Sequence, residues 1–392
     1  MGTAMSTAGT DHATPPPGPL NGLRALELGG IGPGPFCGML LADLGVEVIR
    51  VERPADAGTE QREEVLNRGR RSLTLDLKSD SGREIALDIA ARCDIVFEGF
   101  RPGVAERLGV GPHDCAARNL RIVYGRMTGW GQDGPLSSLA GHDINYIAMT
   151  GALDAIGERG GPPVAPLNLL GDFGGGGAYL ALGLISAVWE AARSGHGQVV
   201  DAAIVDGTSS LMAMLLGMRS TGRWEGRRGE NLLDGGAHFY GVYESADGRY
   251  LAAGPIEPQF YAQFLEALGL EDPPGIDRLS PAQWQRLRGE VERAFLGRTR
   301  EEWLEIFSTR DACVTPVLTI EEARDHPHNH ARGYLQEHEG VLQPGAAPRF
   351  SRSQAQGARS VPHIGEHTDE VLRWIGRTDS QIDALRSSGV IG

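Results

Sequence analysis

Apolar positions along this chain fall into two periods that alternate. LRALELGG and VEVIRVER read as short buried strands, and Pro35 to Gly45 between them reads as an apolar helix, so the first stretch predicts a β-α-β unit. The pattern then repeats: SLTLDL predicts a strand, Ser81 to Arg92 a helix, DIVFEGF a strand, the region near Val104 a helix, and RIVYGRMTG another strand. Alternation of this kind implies a largely parallel sheet covered by helices. A helix opening near His142 follows, then a proline-rich loop (161–166), a long apolar helix from about Gly174 to Arg193, and QVVDAAIVD as a strand.

Past Asp206 the patterning changes. TSSLMAMLLGMRS predicts an apolar helix, RWEGRRGENLLDGG a glycine-rich connector, and HFYGVYESADGRYLAAG a hairpin turned at Ala-Asp-Gly. Helices follow at Pro258 to Leu268, Pro281 to Leu296 and Thr299 to Ser308, the last opened by the capping pair Thr299 and Glu302. This is the pattern of a smaller α+β domain. The leading MGTAMSTAGTDHATPPPG has no apolar period to pack and is read as a disordered tail.

Composition narrows the function classes. The 392 residues suffice for two domains, and 41% hydrophobic with 22% charged residues is ordinary for a soluble globular protein. No run of roughly eighteen uninterrupted apolar residues is present and the N-terminus lacks a basic-then-apolar leader, so a cytoplasmic location without a membrane partner is expected. The four cysteines, Cys37, Cys93, Cys115 and Cys313, form no C-x-x-C pair and are read as reduced and structural. A net charge of −14 argues against nucleic acid, whose binding rests on phosphate neutralisation. An anionic small molecule would need a local basic patch, and Arg53, Arg68, Arg70, Arg71 and Lys78 supply one. Lys78 is the only lysine among 37 basic residues.

Three constellations can carry chemistry. AGHDINY places His142 at a helix start, where a near-neutral imidazole exchanges protons and free backbone N–H groups can receive an oxyanion; taken alone it fits a structural histidine as well. NLLGDFGGGG sets Asp172 before four glycines, which either admit a ligand or serve close packing. AAGPIEPQFY puts Glu257 at a helix entrance, where a carboxylate ordinarily just complements the helix dipole.

Other signals have plainer readings. GGIGPGPF after a strand, with Glu52 ending the next strand, imitates a dinucleotide fingerprint and makes an NAD-dependent oxidoreductase a rival. Yet Pro35 stands where the third glycine belongs, and Pro33 and Pro35 remove donors a pyrophosphate would need. His326, His328 and His330 in HPHNH lack a carboxylate or cysteine companion, so no metal site is assigned. Met212, Met214 and Met218 read as core filler, although Met214 and Met218 share a face that could meet variable acyl chains.

Taken together, GPGPFCGMLLADLG, VERP, RSLTLDLK, AGHDINY, PLNLLGDFGGG, GHGQVVDA, NLLDGGA, IEPQFY and DACVTPVL resemble the family III CoA-transferases, and within them the α-methylacyl-CoA racemase branch, from about Leu20 to the C-terminus. The resemblance implies a Rossmann-like large α/β domain, a smaller α+β domain and an interlocked homodimer. In residues, this gives a tail at 1–18, a large CoA-binding domain at 19–205, a linker at 206–235, a small domain at 236–335 and a return to the large domain at 336–392. It implies His142 and Asp172 as acid and base, with Glu257 assisting the histidine across the dimer. It further implies CoA contacts from Arg53, Leu75, Asp76, Leu77, Lys78, Gly141, Asp143, Ile144, Asn145 and Tyr146, with Arg101 as a further candidate.

The activity so implied is racemisation of 2-methylacyl-CoA thioesters by proton transfer through an enolate, with acyl-CoA as the substrate and no separate cofactor. Such chemistry needs one group on each face of the α-carbon and fixed donors for the enolate oxygen. The rival inside the family is a CoA-transferase in which Asp172 takes the acyl group as an anhydride. The sequence departs from the racemase pattern at His238, where proline is usual, and at Pro255, where alanine is usual; the resemblance puts both near the acyl end of the site, which leaves substrate preference open.

Overall fold

The computed structural model describes residues 18–272, 275 and 277–392. All but Gly18 of the expected tail lies outside the described residues; Gly18 is buried, and a Cβ there would fall 2.3 Å from the Leu44 carbonyl oxygen. The described chain divides into two compact units, one of residues 18–127, 180–201 and 333–392, the other of 128–179 and 202–332.

The first unit holds the sheet. Its strands are β1 (Arg24–Leu28), β2 (Glu47–Glu52), β3 (Arg70–Thr74), β4 (Ile95–Glu98), β5 (Val123–Thr128) and β6 (Val199–Ala203), in the order β3-β2-β1-β4-β5-β6. The ladders joining β1 through β5 are all parallel. Crossovers run through α1 (Pro33–Asp43), α2 (Asp80–Ala90), and the pair α3 (Val104–Arg107) and α4 (Pro112–Arg118). Strand order reverses between β1 and β4, which marks the carboxyl ends of those strands as the place for a ligand crevice.

Each element has a local cause. Strands β1 and β4 are nearly all buried because helices cover both faces of a parallel sheet, and their Leu26, Leu28 and Val96 join Ile85, Ile89 and Leu372 in one core. Helix α2 starts where Ser79 Oγ accepts the Gly82 N–H at 3.0 Å. Glu27, fully buried in β1, is met by two arginines: it pairs with Arg50, and its other oxygen with Arg70 at 3.2 Å. Removing one partner would strand a buried charge, so the trio is locked by its own desolvation cost.

The second unit contains α5 (Asp143–Met149), α6 (Ala152–Ala155), α8 (Ile204–Leu211), α9 (Ala213–Ser220) and a three-stranded antiparallel sheet of β7 (Gly241–Glu244), β8 (Tyr250–Ala253) and β9 (Val314–Pro316). The hairpin turns at Ala246-Asp247-Gly248, with Gly248 at φ 71°, as the Ala-Asp-Gly signal implied. Strand β9 was not legible in the sequence. Around the sheet pack α10 (Pro258–Leu268), α11 (Pro281–Phe295) and α12 (Arg300–Phe307), whose cap is reciprocal: the Thr299 N–H donates to Glu302 at 2.8 Å and the Glu302 N–H to Thr299 Oγ1 at 3.3 Å.

Leu169–Ser194 is a continuous 26-residue helix, long and apolar enough in length and composition to cross a membrane. Its C-terminal part, α7 (Tyr179–Ser194), buries Leu180, Ala181, Leu184, Ala187 and Ala191, spacings that mark one face of a helix packed on protein.

Candidate active site

The turn after β5 prepares the histidine. The Tyr146 ring meets Trp130 edge-on at 4.7 Å, and the Tyr146 hydroxyl donates to the Gly141 carbonyl. A Cβ on Gly129 would fall 2.0 Å from the Tyr146 ring, and one on Gly141 2.7 Å from it, so both must be glycine. Clamped in this way, His142 takes an extended conformation (φ −132°, ψ 173°) just before α5. Its N–H donates to Asn145 Oδ1 at 3.0 Å, and its imidazole is left exposed.

Asp172 rises from an unusual helix. Residues Leu169–Ala178 form a π-helix, with the Phe173 N–H reaching back five residues to the Asn168 carbonyl at 3.2 Å. Such wide turns are found mostly as single bulges and often at functional sites. Here the glycines allow it and α8 presses on it. A Cβ on Gly207 would lie 1.9 Å from the Gly175 carbonyl oxygen, and one on Gly175 2.6 Å from Thr208 Oγ1. The four-glycine run is therefore a close-packing device, and the same device presents Asp172.

His142 and Asp172 are brought together through Asp143. Asp143 is buried, and its Oδ1 accepts the Asp172 backbone N–H at 2.7 Å. Gly171 leaves the room, since a Cβ there would sit 2.3 Å from that oxygen. Burial and the neighbouring Asp143 carboxylate raise the Asp172 carboxyl above its ordinary value, while Asn168 and the His142 imidazole pull it back. A carboxyl raised in this manner, beside an imidazole, is a better proton carrier than an ordinary carboxylate. The sequence named all three residues but missed that the Asp143 side chain links the other two.

Glu257 lies elsewhere within the same unit. It is exposed at the N-cap of α10, and its carboxylate acts on Cys313, whose thiol is raised by burial, Asp311 and Glu257. No contact among the described residues joins Glu257 to His142 or Asp172. All four cysteines are free; Cys37, Cys93 and Cys115 are buried, whereas Cys313 is exposed and held at φ 49°. Among the described non-glycine residues with positive φ, it accompanies Leu167 and Glu339.

The remaining candidates divide between the units. Gly141, Asp143, Ile144, Asn145 and Tyr146 surround His142. Arg53, Leu75 to Lys78 and Arg101 stand just past the carboxyl ends of β2, β3 and β4. Arg53, Lys78 and Arg101 are exposed, whereas Leu75 is buried and hydrogen-bonds the Glu52 carbonyl at 2.9 Å. The Lys78 N–H is held by Asp76 Oδ1 at 3.0 Å.

In the glycine loop, Gly29, Gly30 and Gly32 have positive φ, and the Gly30 carbonyl accepts from Arg50 at 3.0 Å. Glu52, the acidic residue a nicotinamide fingerprint would turn toward a ribose, instead pairs with Arg50 at 3.4 Å and accepts from Ser72. Both departures from the racemase pattern, His238 and Pro255, are buried, and His238 Nε2 meets Tyr261 Oη at 2.8 Å. Of the methionines, Met218 is buried and Met214 exposed, so they do not offer one shared surface. Among the described residues no three metal-ligating side chains converge, His326, His328 and His330 included.

A family model described as CoA-transferase family III matches residues 20–368. Alpha-methylacyl-CoA racemase of Mus musculus is 46% identical over 95% of this chain and 97% of its own length. The Homo sapiens protein of the same name is 44% identical over the same shares. Succinyl-CoA–D-citramalate CoA-transferase of Chloroflexus aurantiacus is 30% identical over 96% of this chain and 99% of its own. Among solved structures, a CAIB/BAIF family protein from Brucella suis matches with a TM-score of 0.79 at 25% identity, covering 92% of this chain and all of that one.

Proposed function

The chain belongs to the family III CoA-transferases, and on that premise we propose that it is an isomerase interconverting (R)- and (S)-2-methylacyl-CoA thioesters. The observation that carries the reading is the pairing of His142 with a raised Asp172 carboxyl over the buried Asp143. Two proton exchangers of different type at one site suit a 1,1-proton transfer, in which the α-carbon lies between them. One removes the α-proton, the enolate oxygen is met by backbone N–H at Asp143, and the other returns a proton on the opposite face. No electron leaves the substrate, so the step calls for no redox cofactor.

CoA is proposed to lie along Arg53, Leu75 to Lys78 and Arg101, the exposed cations meeting its phosphates. Glu257 is assigned to a site completed by a second copy of the chain, because within one chain it stands with Cys313. A cytoplasmic homodimer is the state proposed.

One enantiomer of a 2-methylacyl-CoA incubated in deuterated water, without an acceptor acid, should lose optical purity and gain α-deuterium. His142→Ala and Asp172→Ala should each lower both rates by roughly a hundredfold or more, the usual worth of a positioned acid or base. Retained racemisation in both variants would overturn the assignment. Exchange seen only with a free acid present, with CoA migrating to that acid, would mean that Asp172 acts as a transferase nucleophile.

A further inference from the structure

Glu98 closes β4, beside the place where strand order reverses, and its side chain is buried with only 3% exposed. Its Oε2 accepts the backbone N–H of Phe100, so the carboxylate folds over the turn that follows its own strand. That turn is joined to the glycine loop. A Cβ on Gly99 would lie 3.6 Å from Gly30 Cα, and one on Gly29 3.6 Å from the Phe100 ring, which also packs on the core of the sheet. The turns after β1 and β4 thus form one piece, and Arg101 is the next residue along.

A turn amide can be satisfied by a neutral acceptor, and burying a carboxylate is costly. An ionisable group here therefore calls for a reason. The groups facing it are Arg126 and Tyr124 on β5, Glu106 on α3 and Asp201 on β6. Arg126 is shared, because it also pairs with Glu106. Burial raises Glu98 to about 7 against the pull of the Phe100 N–H and Arg126, and Glu106 and Asp201 add to the rise.

We propose that Glu98 is a positioning residue for the CoA moiety: its carboxylate fixes the Gly99–Arg101 turn at the mouth of the crevice, and protonation there loosens the hold on CoA without touching proton transfer at the α-carbon. This rests on the acyl-CoA reading above. An ionised acceptor makes the stronger hydrogen bond to the turn, and a neutral one leaves the turn, and Arg101 with it, less fixed.

The test compares KM and kcat from pH 5.5 to 8.5 for a 2-methylacyl-CoA and for the same acyl group on N-acetylcysteamine, a thioester that lacks the nucleotide. For the CoA ester, the wild-type KM should rise about fivefold as pH falls through 7, the scale of losing charge assistance in one hydrogen bond. Glu98→Gln should hold the high KM at every pH, with kcat equal to wild type at each pH. The truncated thioester should show no difference between the two proteins. An unchanged KM profile in Glu98→Gln, or an equal change for both thioesters, overturns the proposal. If neither thioester is turned over, the racemase reading falls, and calorimetric binding of CoA to the same two proteins over the same pH range still decides the role of Glu98.

Discussion

Two buried titratable groups pull the protein's pH dependence in opposite directions. His238 is lowered to about 4 by burial and by Arg288, Arg278 and Arg286, so the folded chain resists the proton that the unfolded chain accepts below about 6.5. Its contribution is intact above 6.5 and lost as pH falls toward 4, on the order of 3 kcal/mol in full. Glu98, raised from 4.5 to about 7, does the reverse: its contribution is intact below 4.5 and lost as pH rises to 7. Between pH 4.5 and 6.5 these two contributions oppose each other, so each is best seen in a variant that lacks the other. Relative to wild type, denaturant melts of His238→Gln should lose the gain in stability with rising pH across that window, because the histidine no longer contributes it. Glu98→Gln should show the opposite slope and should be more stable than wild type at pH 8. The sequence marked His238 as a departure and left its consequence open, since burial beside an aromatic core of Phe239, Tyr261 and Phe264 leaves no local signature. Glu98 was passed over as the charged end of an apolar strand; its significance depends on Phe100, Arg126 and Asp201 arriving from three places in the chain.

At the level of elements, the strands and helices with strong periods were legible. Helix α10 matches the expected Pro258 to Leu268 in full, set by proline at its first position and Gly269 at φ 67° beyond its last. The apolar run after Asp206 was expected as one helix, but it is two, α8 and α9, meeting at Met212. Strand QVVDAAIVD stops at Ala203, and its last residues open α8, because apolar composition alone cannot tell a strand end from a buried helix start. The π-helix was least legible, for four glycines specify freedom rather than a form, and the form comes from α8. Gly207→Ala should therefore destabilise the protein by roughly 1–3 kcal/mol through overpacking and also lower activity, since Asp172 is carried on the displaced turn. Circular dichroism melts and racemisation rates on the same preparation would check this; a destabilised variant with full activity at low temperature would show that the π-helix does not set the position of Asp172.

For the whole molecule, family and chemistry could be read from motifs, and so could the expectation that Glu257 assists His142 across a dimer; among the described residues Glu257 stands with Cys313 rather than with His142. If two copies share each site, His142→Ala and Glu257→Ala should complement when co-expressed. A mixed dimer then carries one site with both defects and one with neither, restoring about a quarter of wild-type activity in a statistical mixture. Absence of any recovery between two variants that are each inactive, with mixed dimers confirmed by mass, would show that Glu257 and His142 do not meet across the dimer. Lys78 offers a means of watching such a protein at work. With a single ε-amine, exposed just past β3, the chain can be tagged by ordinary amine chemistry at that one side chain, apart from the α-amino group. A dye attached there would report from the rim where CoA is proposed to sit, and acyl-CoA would shield the amine from the reagent, so a footprinting experiment needs no engineered label.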